Sequence, residues 1–188
     1  MAYYSQCELQ KLGMKYVGKN VSISKDCKIY DAHLISIGDH SRIDDFSILS
    51  GMVTIGKNCH ITPMCLLAGG REGIVLNDFV TLAYGVKVFS QSDDYSGVTL
   101  TNSTIPRQFK NEFFAQVILM RHAIIGTNSI IFPGVTIQEG TAIGAGSVVT
   151  KSTEEWAIYV GSPAKKIKAR DRNLLSLERQ FLGCEDDA

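Results

Sequence analysis

Residues 125–148 read IGTNSIIFPGVTIQEGTAIGAGSV, which divides into four consecutive hexads, each opening on an aliphatic residue: Ile125, Ile131, Ile137 and Ile143. A helix repeats every 3.6 residues and a simple half-buried strand every two, so neither produces an apolar position at every sixth residue. A fixed short period carried through successive hexads marks a chain that winds into stacked coils.

Working outward, the ladder extends to Leu119 on one side and Val149 on the other, and recurs at Leu76, Leu82 and Val88. Earlier still it runs through Ile37, Ile43, Leu49, Ile55, Ile61 and Leu67, and, one slip before that, through Val17, Ile23, Ile29 and Ile35. Four places after these aliphatics fall smaller residues, among them Ser41, Ser47, Val53, Cys59, Cys65, Val80, Val86, Ala123, Ser129, Val135, Thr141 and Ser147. Two inward positions per hexad are thereby specified. Between them stand Asn20, Asn58, Asn128, Gly134, Gly140 and Gly146, residue types that tolerate a positive φ in a tight corner. Each hexad is a short strand plus a turn, three hexads close a triangular coil, and coils stacked about 4.8 Å apart pair their backbones with those above and below.

The chain has 188 residues, 45% of them hydrophobic, and a formal net charge of zero. That length suits one domain with a small appendage. The charge balance lacks the positive field with which nucleic-acid binders neutralise phosphate. The N-terminal segment up to Val17 shows no basic stretch followed by an apolar one and no run able to span a bilayer, so cytoplasm is the expected compartment and no membrane insertion is expected. Cys7, Cys27, Cys59, Cys65 and Cys184 lack CxxC spacing and read as reduced thiols, with Cys27, Cys59 and Cys65 filling small inward slots.

The hexads IGTNSI, IFPGVT, IQEGTA and IGAGSV resemble those of the hexapeptide-repeat acyltransferases, in particular the sugar O- and N-acetyltransferases. The resemblance covers about residues 17 to 170. It implies a mainly β fold, a left-handed parallel β-helix with a protruding loop, and the handedness follows from the resemblance alone, since it runs against the usual right-handed crossover. Residues 1–170 are expected to form that domain, with an insertion at 89–116. Residues 171–188 would add a short amphipathic α-helix, from Asp171 to Leu182, and an acidic tail.

The ladder breaks most strongly across residues 89–116, a length at which an irregular loop in a small domain is usually functional. Its aromatic residues Tyr95, Phe109, Phe113 and Phe114 read as anchors. In the acetyltransferases that the sequence resembles, such a loop reaches an adjacent subunit and presents a histidine that deprotonates the acceptor. Aligned through LAYGVKV, that position falls on or beside Asp93, in the segment SQSDDYSG, so Asp93 and Asp94 stand where the base is expected. A carboxylate is a weak base toward an alcohol, although burial or a neighbouring like charge raises its pKa. An amine asks less of it, which favours N-acetylation. The plainer reading has both aspartates end a strand and cap a turn. His122, in a corner slot after the long loop, is the alternative base and is expected to project from the coil. His33, His40 and His60 read as structural or surface residues.

The segments IGAGSVVTK and GSPAKKIKAR resemble the final coils and extension that hold coenzyme A in this family. On that resemblance Thr127 and the backbone at Ala145 contact the pantetheine arm, and Thr150, Lys151, Lys165 and Lys168 lie near the adenosine phosphates. The family's sites lie between subunits, which implies a homotrimer using acetyl-CoA as co-substrate, with direct transfer and no metal. The acceptor implied is a sugar for bacterial surface polysaccharide, such as lipopolysaccharide, with a nucleotide-linked amino sugar ahead of a sugar hydroxyl. A β-helix scaffold without activity is the rival of a different class.

Overall fold

A computed structural model describes residues 2–185. The chain winds into a parallel, left-handed β-solenoid of about seven turns. Three sheets form its walls, of six, eight and six strands. They are called here the first, second and third sheets, in the order in which the chain visits them within each coil.

The hexad ladder becomes three stacks of inward side chains. In the first sheet Val17, Ile37, Ile55, Leu76, Leu119 and Ile137 stand in register. In the second the stack is Ile23, Ile43, Ile61, Leu82, Ile125, Ile143 and Tyr159. In the third it is Ile29, Leu49, Leu67, Val88, Ile131 and Val149. Apart from Val17, Ile29 and Tyr159 near the ends, these side chains are buried. Each contributes about 1.5–3 kcal/mol by leaving water, and because the coils repeat, no single layer dominates the core.

The small inward slot has a second use. Ser41 Oγ donates to Gly56 O at 2.7 Å and accepts from the Cys59 amide at 3.0 Å, tying two coils at a corner. Ser129 Oγ does the same between Gly144 O, at 2.9 Å, and the Ser147 amide, at 3.2 Å. Where a thiol replaces the hydroxyl, burial raises its pKa, to about 12 at Cys27 and about 11 at Cys59. Those thiols are packing groups, protonated at neutral pH.

At both ends the coil is capped by segments that the period does not describe. Helix α1, Gln6–Lys11, starts with a capping box in which the Ser5 side chain accepts from the Glu8 amide and Glu8 reaches back to the Ser5 amide. The signature Ser5-x-x-Glu8 was legible in the sequence; the hexad reading passed over it. At the other end, strands Ala157–Val160 and Lys165–Ala169 form an antiparallel hairpin on the last coil of the second sheet. Helix α2, Leu174–Glu185, follows. It begins three residues later than Asp171, whose side chain accepts from the Asn173 amide at 2.7 Å just before it, and it continues through Gly183. The remainder of the acidic tail lies outside the described residues, as does the side chain of Cys184.

Candidate active site

The long insertion leaves the solenoid where the third sheet meets the first. Strand Lys87–Phe89 ends the third sheet's contribution, and Val117–Leu119 resumes the coil in the first. Between them the chain is ordered at its root by a short antiparallel pair, Gln91–Ser92 with Phe113–Phe114. Farther out, Leu100 bridges to Lys110 and a single 3-10 turn spans Arg107–Phe109.

Against this root lies a cavity of about 320 Å³ lined by Phe89, Ser92, Asp93, Tyr95, Glu112 and Phe132, among others. Apolar ring faces and carboxylates share its wall. Such a mixture suits a sugar, whose C–H faces pack on rings while its polar substituents meet charged groups.

The two aspartates separate here. Asp93 lines the cavity, and one of its oxygens accepts weakly from the Asn102 amide at 3.4 Å. Asp94 instead organises the loop: it accepts from the Ser96 amide at 2.8 Å and from the Thr99 hydroxyl at 2.7 Å. Hydrogen bonding from Ser96, then from Thr99, holds its pKa at about 2. The like charge next to it therefore does not make Asp94 a stronger base. Hydrogen bonds to the ionised form outweigh it.

The expected anchors are mostly unanchored within one chain. Tyr95 is 90% exposed, and Phe109 and Phe113 are more than half exposed. Only Phe114 is held, under the Arg71 guanidinium at 3.8 Å from the ring centre. Tyr95, Phe109 and Phe113 thus present more than half of their surface to the outside of this chain.

His122 departs further from its expectation. It does occupy a corner slot, with φ 61°, but its ring does not project; it is 8% exposed beneath helix α2. The ring stacks on Phe79 with centroids 5.1 Å apart, and Nε2 meets Glu178 Oε2 of that helix at 3.1 Å. Arg121 pairs with the other oxygen of Glu178. The corner that carries His122 joins the first and second sheets, whereas the loop of Asp93 springs from the corner between the third and first. One chain does not bring the two candidate bases together.

His60 is also bonded, its Nε2 2.9 Å from Asp44. Asp44 is buried and accepts in addition from Tyr3 and Arg42, at 2.9 and 2.7 Å. The effect is to fasten the N-terminal segment to the second sheet.

Of the candidate cofactor residues, Thr127 and Ala145 occupy successive coils of the corner between the second and third sheets, joined by the Gly146 amide donating to Thr127 O at 2.8 Å. The Gly161-Ser-Pro-Ala164 turn folds onto the same region: the Val148 amide donates to Gly161 O at 3.0 Å, and the Ala164 amide to Val148 O at 2.8 Å. Lys165 and Lys168 extend from that turn, exposed, on the outer hairpin strand. Thr150 and Lys151 directly follow the strand Val148–Val149 and are exposed. Thr127 and Ala145 thus share one corner, the terminal turn bonds to the strand that follows it, and Lys165 and Lys168 stand on the hairpin strand leaving that turn. Among the described residues no group of three or more His, Cys, Asp or Glu is placed to hold a metal ion, and no helix is long and apolar enough to cross a membrane.

No family model matches the sequence. The chain is 37% identical over 184 residues to the dTDP-4-amino-4,6-dideoxy-D-glucose acyltransferase of Escherichia coli, covering 96% of this chain and 95% of that protein. It superposes on AntD, an N-acyltransferase from Bacillus cereus in complex with dTDP and 3-hydroxybutyryl-CoA, with a TM-score of 0.97 and 50% identity over 99% of this chain and 100% of that one. A variant of AntD in complex with dTDP-4-amino-4,6-dideoxyglucose and coenzyme A gives a TM-score of 0.96 at 51% identity, over 97% and 98% of the two chains. A hexapeptide-repeat acetyltransferase from Vibrio cholerae complexed with acetyl coenzyme A, 18% identical with a TM-score of 0.58 over 88% and 75%, shares the fold alone.

Coil, protruding loop and terminal hairpin together define a class, and the chain belongs to it: the hexapeptide-repeat acyltransferases. Like the relatives matched over nearly their whole length, it is an acyltransferase that uses an acyl-CoA co-substrate.

Proposed function

We propose that the protein transfers an acyl group, with acetyl-CoA as donor, to the amine of a nucleotide-linked amino sugar, and that Asp93 receives the amine's proton. The observation that carries this is the position of Asp93 in the wall of an aromatic-sided cavity at the root of the long loop. The E. coli relative acts on dTDP-4-amino-4,6-dideoxy-D-glucose, and AntD has been captured with that sugar and with coenzyme A. The same acceptor class suits a site whose available base is a carboxylate.

The neutral amine attacks the thioester carbonyl, a backbone amide steadies the oxyanion, and coenzyme A leaves as its thiol once the proton has passed from nitrogen through Asp93 to sulfur. Thr127 and Ala145 would line the pantetheine arm, with Lys165 and Lys168 near the phosphates as compact positive charges. The assembly is a homotrimer in which the loop of one subunit completes a neighbour's site. Support comes from the exposed loop aromatics and from an apolar ridge, Phe46, Met64 and Tyr84, on the corner between the second and third sheets. Acyl-CoA and nucleotide sugars as substrates fit work in the cytoplasm, supplying a surface polysaccharide such as lipopolysaccharide.

The test is thiol release from acetyl-CoA and from 3-hydroxybutyryl-CoA with dTDP-4-amino-4,6-dideoxyglucose as acceptor. Asp93→Asn should lower kcat by about 10²-fold or more while coenzyme A binding persists. Full activity in that variant would remove Asp93 from the chemistry. Turnover confined to hydroxyl acceptors would make the enzyme an O-acyltransferase.

A further inference from the structure

The root of the loop brings two carboxylates to one cavity. Gln91 pairs with Phe114 and Ser92 with Phe113. Beyond the last of these pairs each strand continues into a carboxylate, Asp93 and Glu112, and both line the cavity. Like charges gathered in one cavity wall repel and disfavour each other's ionised form. Such a local cost at a cavity points to function at that place.

The Lys110 ammonium, almost fully buried, lies 3.2 Å from Glu112 Oε1. It offsets part of the repulsion and fixes how Glu112 enters the cavity. Among the described residues no partner takes Glu112 Oε2, and the single contact to the carboxylate of Asp93 is a long one from a backbone amide. The cavity therefore has two carboxylates in its wall and one ammonium beside Glu112.

We infer that Glu112 is a specificity-determining residue of this enzyme: with Asp93 it binds the acceptor as its ammonium form, so that the site selects an amine over a hydroxyl before any chemistry occurs. The inference rests on the acceptor reading given above. In it the roles divide. Glu112, already paired with Lys110, holds the ammonium in place; Asp93 first passes one ammonium proton to solvent, which leaves the neutral amine, and takes the second as that amine attacks, passing it to the leaving sulfur. Phe89, Tyr95 and Phe132 supply the apolar wall against which the sugar ring rests.

The experiment compares binding of dTDP-4-amino-4,6-dideoxyglucose and of its counterpart with a hydroxyl at the same carbon, in wild type and in Glu112→Gln, at neutral pH. The amino sugar should lose about tenfold in affinity and its hydroxyl counterpart less than about twofold, the difference expected when a charge-assisted contact becomes a neutral one. In turnover, KM for the amino sugar should rise more than kcat falls, the reverse of Asp93→Asn. Because the ratio of two ligands is read within one variant, it stays informative even if Glu112→Gln melts earlier, and Glu112→Asp should restore part of the preference. Equal losses for both ligands, or an unchanged ratio, would overturn the role of Glu112 and leave the acceptor site standing. If wild type binds coenzyme A but neither sugar, this inference fails together with the reading it rests on.

Discussion

The side chain and amide of Ser96, followed by Thr99, hold the carboxyl of Asp94 at a pKa of about 2, against an ordinary 3.8. The folded chain therefore gives up this proton more readily than the unfolded one. The resulting stabilisation is complete above the unfolded value and disappears as pH falls through about 2. Asp94→Asn should accordingly melt below the parent at pH 7, with the gap closing towards pH 2 in a thermal series. A gap that persists at pH 2, or none at pH 7, would show that these hydrogen bonds do not tie the loop. A carboxylate of this acidity is poorly suited to take a proton from an amine, and the neighbours divide accordingly: Asp94 ties the loop and Asp93 lines the cavity. The sequence located this aspartate pair and could not divide it, because the division depends on which carboxylate meets the Ser96 amide.

Among the structural elements, the corner between the first and second sheets shows how an appended helix changes the residues a turn carries. Asn20, His40, Asn58, Phe79, His122, Gly140 and Trp156 all adopt positive φ there, in successive coils. Asn and Gly accept that conformation cheaply; rings do not. Phe79, His122 and Trp156 pack on one another and on α2: Phe79 meets His122 and, edge-on, Phe181 at 6.3 Å, and His122 meets Trp156 at 6.5 Å. Gly140 is required for a different reason. A Cβ there would come within 2.4 Å of the Trp156 indole, which fills the space the glycine leaves. Removing the helix contact by His122→Ala or Glu178→Gln should cost about 1–3 kcal/mol, from a buried partner left unpaired, and lower Tm by about 2–10 °C. Turnover per folded molecule should stay within a factor of about three, since these contacts do not reach the cavity. If His122→Ala instead kept its melting temperature and lost about 10²-fold in kcat, His122 would be the base. A hexad template marks the slot at 122 as a corner; only the returning helix makes it an interior.

For the whole molecule, the solenoid leaves one corner unexplained by its own packing. Phe46 and Met64 sit at positive φ, 60° and 67°, with 61% and 63% of their surface exposed. Bulky apolar residues are thus placed both in a strained conformation and in water, on adjacent coils, with Tyr84 next along the ridge. Exposed apolar surface of this kind is characteristic of an interface. If this corner is the seam of the proposed homotrimer, Phe46→Glu combined with Met64→Glu should shift the protein from trimer to monomer in sedimentation at micromolar concentration. Activity should fall with the trimer while the far-ultraviolet spectrum is preserved. A double variant that stays trimeric would move the interface to another face of the coil.

What the sequence determined by itself is the coil: aliphatics every six residues, small residues four places on, and turn formers between them fix strand, corner and stack, because every one of those choices is local and repeated. The insertion at 89–116 was visible for the same reason, as the place where the period stops, whereas the segment Gly161-Ser-Pro-Ala164 was marked only by its resemblance to the family's C-terminal extension. Only the tertiary structure decided what those interruptions do. His122 was buried by a helix more than fifty residues away, Glu178 supplying its partner. Glu112, unmarked by any motif, was brought to the cavity of Asp93 by the pairing of two strands some twenty residues apart. Both outcomes depend on contacts distant in sequence, and a period of six residues carries no information about what meets across such a distance.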